Sequence, residues 1–194
     1  MPKLEREIFV VIGQTGKGKT QWTKGYLRTQ KRCIVLDPQG EYNGFLEFES
    51  GKPLISHIMD KKIFRVKCSD LREFPILCFG STLVPKTLLV IEESQRVLAP
   101  HNKIPIEFEE VIYRGRHSET SLLLIAQRAT TIDIAVRSQF TQLIVFRQSE
   151  KHDLNWISDV VGEDLNDTVH GLNPLEYLHI TNIGYERKKI TKFY

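Results

Sequence analysis

A short run near the start of the chain has the residue types and spacing needed to hold a phosphate. It reads Gly13-Gln14-Thr15-Gly16-Lys17-Gly18-Lys19-Thr20 and matches G-x-x-x-x-G-K-[ST] at every fixed position. In this pattern the glycines let backbone N–H groups close on an anion, the lysine reaches the β- and γ-phosphates, and the threonine hydroxyl holds Mg²⁺. We therefore predict that residues Gly13 to Gln21 bind ATP, with Lys19 catalytic and Thr20 a metal ligand. Lys17 has no side-chain role that its type or position indicates.

The flanking segments predict that this loop joins a strand to a helix. Ile8-Phe9-Val10-Val11-Ile12 is a short run rich in β-branched residues and bounded by a glycine, which is typical of a buried strand. After the motif, Trp22, Tyr26 and Leu27 recur at helical spacing. The first turn of such a helix presents its unpaired amides and positive dipole end to the same anion. A glycine-rich turn without a ligand is the alternative.

Polar side chains follow two further aliphatic runs that read as buried strands. Thr87 to Ile91 ends in Glu92-Glu93, and Ser121 to Ala126 ends in Gln127. Ligands of open α/β sheets bind at the carboxyl ends of the strands, where these side chains fall. We expect Glu92 to contact Mg²⁺ directly or through its water, and Glu93 to polarise the attacking water. Gln127 can then hydrogen-bond the γ-phosphate or that water. The alternatives are a surface acidic pair and a simple polar end to a strand.

Two arginines flank Gly115 at the end of a predicted helix. Arg114 and Arg116 bring two permanent, forked cations to one place. Either can act as an arginine finger in the ATP site of a neighbouring subunit, or both can be solvated or structural. Weaker candidates for similar roles are Arg128, Arg137 and Arg147.

Composition places the chain among ordinary globular proteins. It has 194 residues, of which 41% are hydrophobic and 26% charged, so one domain with a full core is expected. The net charge of +3 permits a polyanionic partner without requiring one. Three cysteines without paired ligand spacing argue against a disulfide framework and a zinc site. Without an apolar run of membrane-spanning length or a signal peptide at the start, we expect a soluble intracellular protein.

Strand and helix patterns alternate along the chain, which predicts an α/β fold with a mostly parallel sheet. Further strands are predicted at 33–36, 63–67 and 142–146, and helices at 104–114, 132–139 and 150–161. Residues 68–81 fit either an irregular connection or another helix. The tail, residues 175–194, predicts a hairpin around Asn182-Ile183-Gly184. Its basic residues can touch DNA phosphates or be solvated; they are Arg187, Lys188, Lys189 and Lys192.

The order of these motifs resembles the FtsK–HerA superfamily of DNA-translocating ATPases. The resemblance covers residues 8 to 153 or so, and it is much more specific than the phosphate loop alone. After that loop, the runs that carry it are Asp37-Pro38-Gln39-Gly40-Glu41-Tyr42, Leu89 to Gln95, Arg114 to His117, Leu124 to Arg128, Ile132-Asp133, Ser138-Gln139 and Phe146-Arg147.

The resemblance implies a RecA-like P-loop NTPase core in a hexameric ring that moves double-stranded DNA. It also implies that Glu93 is the catalytic carboxylate, Gln127 the γ-phosphate sensor and Arg116 the best candidate for the finger, with Arg114 and Arg147 as additional fingers or sensors. This chain departs from the family in having Glu92 where Asp is usual, which puts the metal geometry in question. The expected layout is one ATPase domain over 1–194, with a core at about 8–150 and a C-terminal helix and hairpin at about 150–194.

The size of the chain favours one branch of the superfamily. A bare core resembles the genome-packaging ATPases of internal-membrane icosahedral DNA viruses, which implies capsid or portal-vertex partners and a place in the host cytoplasm or at the packaging vertex of the virion. The alternatives are a cellular or plasmid HerA-like DNA pump and a filamentous-phage assembly ATPase, although the latter normally has a membrane span. A nucleotide-dependent switch or small-molecule kinase is the last alternative, for which no lid or acceptor site is identifiable.

Overall fold

The computed structural model describes residues 6–192, in which nine strands form one sheet. Predictions that fall on residues 1–5 and 193–194, at the start of the chain and the end of its tail, lie outside the described residues. In chain order the strands β1 to β9 are Ile8–Ile12, Arg32–Leu36, Leu46–Glu47, Phe64–Cys68, Leu88–Ile91, Ser121–Ala126, Gln142–Phe146, Glu176–Thr181 and Gly184–Lys189. The helices α1 to α7 are Lys19–Leu27, Gly51–Met59, Phe74–Leu83, Ile106–Glu109, Ile134–Arg137, Lys151–Val161 and Asn166–His170.

The sheet is mostly parallel, as the alternation of strands and helices predicted. Its order is β3-β4-β2-β5-β6-β1-β7-β8-β9, and only the last two pairings are antiparallel. The strand β1 lies in the middle, paired with β6 on one side and β7 on the other. Because β1, β2, β5, β6 and β7 all run in one direction, the segments that follow them meet at one edge, which we call the carboxyl edge.

The aliphatic strands are buried on both faces, and alternate residues serve two separate cores. On β1, Val10 and Ile12 face a large core beneath α2, α3, α6 and α7, while Phe9 and Val11 face a smaller core beneath α1. Covering both faces explains why these strands read as continuous apolar runs. The result is a three-layer α/β arrangement, with helices on both sides of the sheet.

The C-terminal hairpin predicted around Ile183 is confirmed as β8 and β9. It continues the main sheet, because β8 pairs with β7 through the register Ile144↔His179 and Val145↔Leu178. Backbone bonds also attach it to the phosphate loop: Leu175 N–H donates to the Lys17 carbonyl at 2.9 Å, and Ile190 N–H to the Leu175 carbonyl at 2.9 Å. The division of the chain into a single ATPase domain with these boundaries stays a prediction.

The helical segments compare with the sequence expectation in three ways. The helix α2 was missed, and its N-terminal N–H, on Gly51, is held by the Glu73 carboxylate at 2.7 Å. The segment that fitted either a helix or an irregular connection is α3, which starts after a short 3₁₀ turn at Leu71–Glu73. The helix predicted at 104–114 is α4 followed by a wider π-helical turn over Glu110–Arg114, and Phe108, Val111 and Ile112 on this segment are buried.

Each helix within residues 6–192 falls short of the length and apolar character that crossing a membrane demands. The three cysteines are buried free thiols, in agreement with the prediction that they form no disulfide.

Candidate functional site

The phosphate-loop motif lies between β1 and α1, at the carboxyl edge, in the setting that the sequence predicted. Gly13, Gly16 and Gly18 have φ values of 153°, 75° and 122°, in the region that favours glycine. A Cβ on Gly13 would overlap the Phe146 Cβ, and one on Gly18 would approach the Phe146 ring to 2.9 Å. The loop therefore needs glycine both for its backbone angles and for its close packing against β7.

The Lys19 side chain lies back across its own loop. Its Nζ donates to the Gly13 carbonyl at 2.6 Å and to the Gln14 carbonyl at 3.2 Å. Burial lowers the pKa of the Lys19 ammonium, and nearby carboxylate charges act in the opposite direction. Those carboxylates belong to Glu92, Glu93 and Glu41. The structure therefore places Lys19 among the acidic residues that the metal and hydrolysis predictions concern.

Thr20 is hydrogen-bonded to a residue to which the sequence assigned no role. Its Oγ1 donates to Glu41 Oε2 at 2.8 Å. Glu41 lies on the turn after β2, and Asp37, which is fully buried, holds this turn in place. Asp37 Oδ1 accepts from the Glu41 N–H at 2.9 Å, and Oδ2 accepts from the Tyr42 N–H at 3.1 Å. Lys67 Nζ, 3.2 Å from Asp37 Oδ2, balances the buried charge.

The two carboxylates after β5 have different environments. Glu92 is 5% exposed and accepts a hydrogen bond from the Tyr42 hydroxyl. Burial raises the pKa of Glu92 to about 7, which the hydrogen bond from Tyr42 opposes. Glu93 is half-buried, adopts a left-handed backbone conformation with φ 48°, and accepts from the Gln95 amide. The acidic pair therefore consists of a buried carboxylate, Glu92, held by Tyr42, and a more accessible one, Glu93.

Gln127 ends β6 at the carboxyl edge and lies beside the phosphate loop. The Gln127 side chain is exposed, and the Gln127 backbone carbonyl accepts a hydrogen bond from the side-chain amide of buried Gln148 at 2.7 Å. A shallow cleft joins it to that loop, lined by Gln14, Thr15, Lys17, Gln127, Gln148 and Ser149 among others. The structure therefore places Gln127 beside the phosphate loop, at the edge of the sheet that the sequence predicted, and its role as a γ-phosphate sensor stays a prediction.

The arginines that flank Gly115 lie at the other edge of the sheet, which we call the amino edge. Both are exposed and precede β6, whereas the phosphate loop follows β1. The two strands are parallel from Ile8↔Leu122 to Ile12↔Ala126, so the length of a strand, roughly 16 Å at about 3.3 Å per residue, separates arginines and loop. Arg114 pairs with Glu110 at 3.3 Å. Burial lowers the pKa of the Arg6 guanidinium, and the positive charge of nearby Arg116 lowers it further. A single chain does not bring either arginine to its own phosphate loop.

Of the other arginine candidates, Arg147 lies beside the phosphate loop, whereas Arg128 and Arg137 contact residues of helix α6. Arg147 follows β7 at the carboxyl edge, where its carbonyl accepts from the Gln14 N–H at 3.0 Å. Arg128 instead forms ion pairs with Asp153 and Glu150, both at 2.9 Å. The Arg137 guanidinium lies over the Trp156 ring at 5.3 Å.

Sequence reasoning assigned no role to Glu41 and Tyr42, which the structure places in contact with Thr20 and Glu92. The available signal was the position of Glu41, a carboxylate following strand β2 at the same edge as Glu92. Tyr42 is 1% exposed, and burial raises its pKa well above the ordinary value, so the phenol stays a proton donor.

The oxygen atoms near Thr20 suit Mg²⁺ bound together with a nucleotide. Among residues 6–192, no group of three or more His, Cys, Asp or Glu side chains is arranged to hold a metal by itself. Mg²⁺ in nucleotide sites is commonly held by one or two protein oxygens, with phosphate and water completing the shell. The Thr20 hydroxyl and the Glu92 carboxylate offer such hard oxygen donors, with the Glu41 carboxylate bonded to that hydroxyl, so the residues fit a cation of this kind.

Comparison with solved structures gives close matches in fold. One is the genome packaging NTPase B204 from Sulfolobus turreted icosahedral virus 2 in complex with sulfate, with a TM-score of 0.82 and 23% identity over 100% of both chains. The same protein in complex with ATP-gammaS matches with a TM-score of 0.80 and 23% identity, again over 100% of both. VirB4 of Thermoanaerobacter pseudethanolicus matches with a TM-score of 0.66 and 12% identity, over 95% of this chain and 89% of that one. No family model matches the sequence, and no curated protein matches it.

These matches define the chain as a P-loop NTPase in fold, as the phosphate-loop motif predicted. More particularly, the chain has the fold of the viral packaging NTPase B204 along its whole length. The fold expected from the FtsK–HerA resemblance is therefore confirmed.

Proposed function

We propose that this protein is an ATP-hydrolysing motor that packages double-stranded DNA into a preformed viral capsid. One observation carries the proposal. The chain matches the fold of a protein described as a genome packaging NTPase, and the predicted site residues lie at one edge of its sheet. These residues are Lys19, Thr20, Glu92, Glu93 and Gln127. Solved structures of that neighbour contain AMPPCP and ATP-gammaS, which supports ATP as the ligand.

The roles of the residues follow from their positions. The loop amides from Gly13 to Thr20 bind the phosphates, and Lys19 exchanges its bonds to loop carbonyls for bonds to the β- and γ-phosphates. Glu93 accepts the proton of the attacking water, and Gln127 orients that water or the γ-phosphate. Mg²⁺, held through Thr20 and Glu92, would supply positive charge against the phosphate oxygens.

The two environments support this assignment of the two glutamates. Glu92 is buried and held by Tyr42, which suits a residue that keeps one position beside a cation. Glu93 is more accessible, and its left-handed backbone turns the chain at the end of β5. A general base must reach a water molecule, so the accessible carboxylate is the better one.

We further propose that the protein acts as a homo-hexameric ring in which Arg116 completes the site of a neighbouring subunit. Its exposure at the amino edge, about a strand length from its own phosphate loop, supports action between subunits. Capsid or portal-vertex proteins are then the partners, and the host cytoplasm or the packaging vertex of the virion is the location.

Stimulation of ATP hydrolysis by DNA tests the function. Hydrolysis by the wild type should rise when double-stranded DNA is added, and the rise should shrink with increasing salt, because phosphate contacts release counterions. Lys19→Ala serves as the control for contaminating ATPases. A hydrolysis rate that does not change when DNA is added at low salt would contradict a DNA-translocating motor and favour a nucleotide-dependent switch or kinase.

Mixed rings test the role of Arg116. Arg116→Ala and Glu93→Gln subunits should each be inactive alone, and mixing them should restore some hydrolysis, because a mixed ring contains intact composite sites. Mass spectrometry of differently tagged subunits verifies that mixed rings form. Verified mixed rings without recovered activity would count against action between subunits.

A cellular or plasmid HerA-like DNA pump, such as one of a conjugation system, is the second candidate. The pCW3 conjugation coupling protein TcpA also matches, with a TM-score of 0.65 over 95% of this chain and 60% of that chain. Empty capsids discriminate between the candidates: a packaging motor protects DNA from nuclease when they are added, whereas a conjugation pump does not.

A further inference from the structure

The turn after β2 brings a carboxylate to the threonine that ends the phosphate-loop motif, and the proposed mechanism does not use it. The Thr20 hydroxyl donates to Glu41 at 2.8 Å, while Glu92, the acidic residue expected to serve the metal, is engaged by Tyr42. We propose that Glu41 is a positioning residue for the nucleotide-bound Mg²⁺, acting through Thr20. This inference rests on the proposed function, since it concerns the metal of the same site.

The chemistry of a hydroxyl makes this contact useful. A threonine hydroxyl has one proton and two lone pairs, so its proton must point away from a cation that its oxygen binds. A carboxylate that accepts the proton fixes this orientation and makes the hydroxyl oxygen a better ligand for the metal. Outer-shell partners of metal ligands commonly act in this way. Glu41 is the carboxylate in that position in this chain.

Glu41 is held in position by contacts that do not involve its own side chain. Asp37 accepts from the backbone N–H groups of both Glu41 and Tyr42 and is itself paired with Lys67. One buried aspartate therefore sets two side chains, one directed to Thr20 and the other to Glu92. In this way the turn after β2 couples the phosphate-loop motif to the carboxylates that follow β5.

The balance of charge points the same way. The carboxylates of Glu41, Glu92 and Glu93 all act on the single ammonium of Lys19. A lysine that moves to a phosphate leaves these carboxylates less compensated, and a divalent cation supplies the missing positive charge. The site therefore needs a cation when Lys19 turns to the phosphates, and Glu41 orients the hydroxyl that meets it.

The test measures metal affinity without turnover. Mn²⁺ replaces Mg²⁺ and is titrated by electron paramagnetic resonance into protein saturated with the non-hydrolysable analogue AMPPCP. Glu41→Gln should weaken Mn²⁺ binding by roughly tenfold to a hundredfold. Binding of AMPPCP in EDTA should be unchanged, because the phosphate-loop amides and Lys19 are intact. Glu49→Gln is the matched control, since it removes the same charge from an exposed side chain of the same connection and should bind Mn²⁺ like the wild type.

A double-mutant cycle separates positioning from simple charge. In a Thr20→Ala background, Glu41→Gln should have little further effect, because Glu41 acts through the missing hydroxyl. An equal loss of Mn²⁺ affinity in both backgrounds would overturn the role assigned to Glu41 here. Unchanged or tighter Mn²⁺ binding by Glu41→Gln would overturn it as well.

The failure of this inference is distinguishable from failure of the proposed function. If the wild type binds no AMPPCP in EDTA or with Mn²⁺, the proposed function itself is wrong, and Glu41 with it. If the wild type binds both and the Glu41 variant matches it, only the role of Glu41 is wrong.

Discussion

The carboxyl edge of the sheet and the two arginines that flank Gly115 at its amino edge differ in how firmly their charged side chains are held. At the carboxyl edge, Thr20 is bonded to Glu41 and Glu92 to Tyr42, and both Glu41 and Tyr42 rest on the buried Asp37. At the amino edge, Arg114 makes an exposed pairing with Glu110, in the preceding turn of its own helical segment. Exposed pairs of this kind contribute about 0.3–0.5 kcal/mol and leave the side chains mobile.

This difference indicates which parts of a site one chain can build alone. Preorganised groups act without a reorganisation cost at the moment of reaction, and the carboxyl edge is preorganised within the chain. The amino edge offers cations that nothing in their own subunit directs at a phosphate.

The largest effect is expected at Lys19. Lys19→Ala removes the ammonium that bonds to the Gly13 and Gln14 carbonyls of the phosphate loop, so ATP turnover should fall at least about a thousandfold, or roughly 4 kcal/mol in activation free energy. Turnover and nucleotide binding are measured together, with Lys24→Ala, on the last turn of the same helix, as the control. Equal turnover by the two variants would remove Lys19 from the site.

The packing of the loop against β7 is expected to be the next most sensitive feature. Gly13→Ala would drive a Cβ into Phe146, so we expect a loss of about 3 kcal/mol in the free energy of unfolding, measured in urea. Gly16→Ala is the matched control, because nothing lies within 4 Å of its Cβ position. Its left-handed φ still costs about 1 kcal/mol. Equal losses in both variants would show that backbone angle, rather than packing, requires the glycines.

Glu92 should make the unfolding free energy depend on pH. Its pKa is raised to about 7 by burial, from an ordinary value of 4.5, so the folded protein binds more protons than the unfolded chain between these values. Stability therefore falls as pH rises from 4.5 to 7, by about 3 kcal/mol for this group. Glu92→Gln stays neutral at every pH, so its unfolding free energy should lack this pH-dependent fall. A difference in unfolding free energy between variant and wild type that is constant with pH would contradict the raised pKa of Glu92.

The smallest effect is expected at the amino edge. Arg114→Ala breaks an exposed pair with Glu110, so the free energy of unfolding should change by no more than about 0.5 kcal/mol. A loss several times larger in thermal or urea unfolding would show that this edge is held as firmly as the other.

Local patterns in the sequence predicted the parts of the molecule whose physics is local. The strands from Ile8 and from Ser121 were correctly predicted, because burial on both faces requires continuous apolar residues. The phosphate-loop motif was placed correctly because its glycines and its flanking strand and helix are adjacent in the chain. Gln127 and the acidic pair were placed at the correct edge by the rule that parallel strands end together.

The features that escaped prediction depend on contacts between distant residues. The bond from Thr20 to Glu41 joins residues 21 positions apart, and the bond from Tyr42 to Glu92 joins residues 50 apart. Helix α2 begins with Gly51 and has a proline in its first turn, so its pattern is short, and its first N–H depends on Glu73. The roles of the site residues, and the action of Arg116 between subunits, stay predictions.

Glu93→Gln tests the central claim, that the carboxyl edge is an ATP-hydrolysing site, most directly. The substitution keeps the shape of the side chain and removes its ability to accept a proton. We expect the variant to bind ATP with the affinity of the wild type while its hydrolysis rate falls by at least about a hundredfold. Hydrolysis at the wild-type rate, measured in the same preparation that shows normal ATP binding, would contradict the claim.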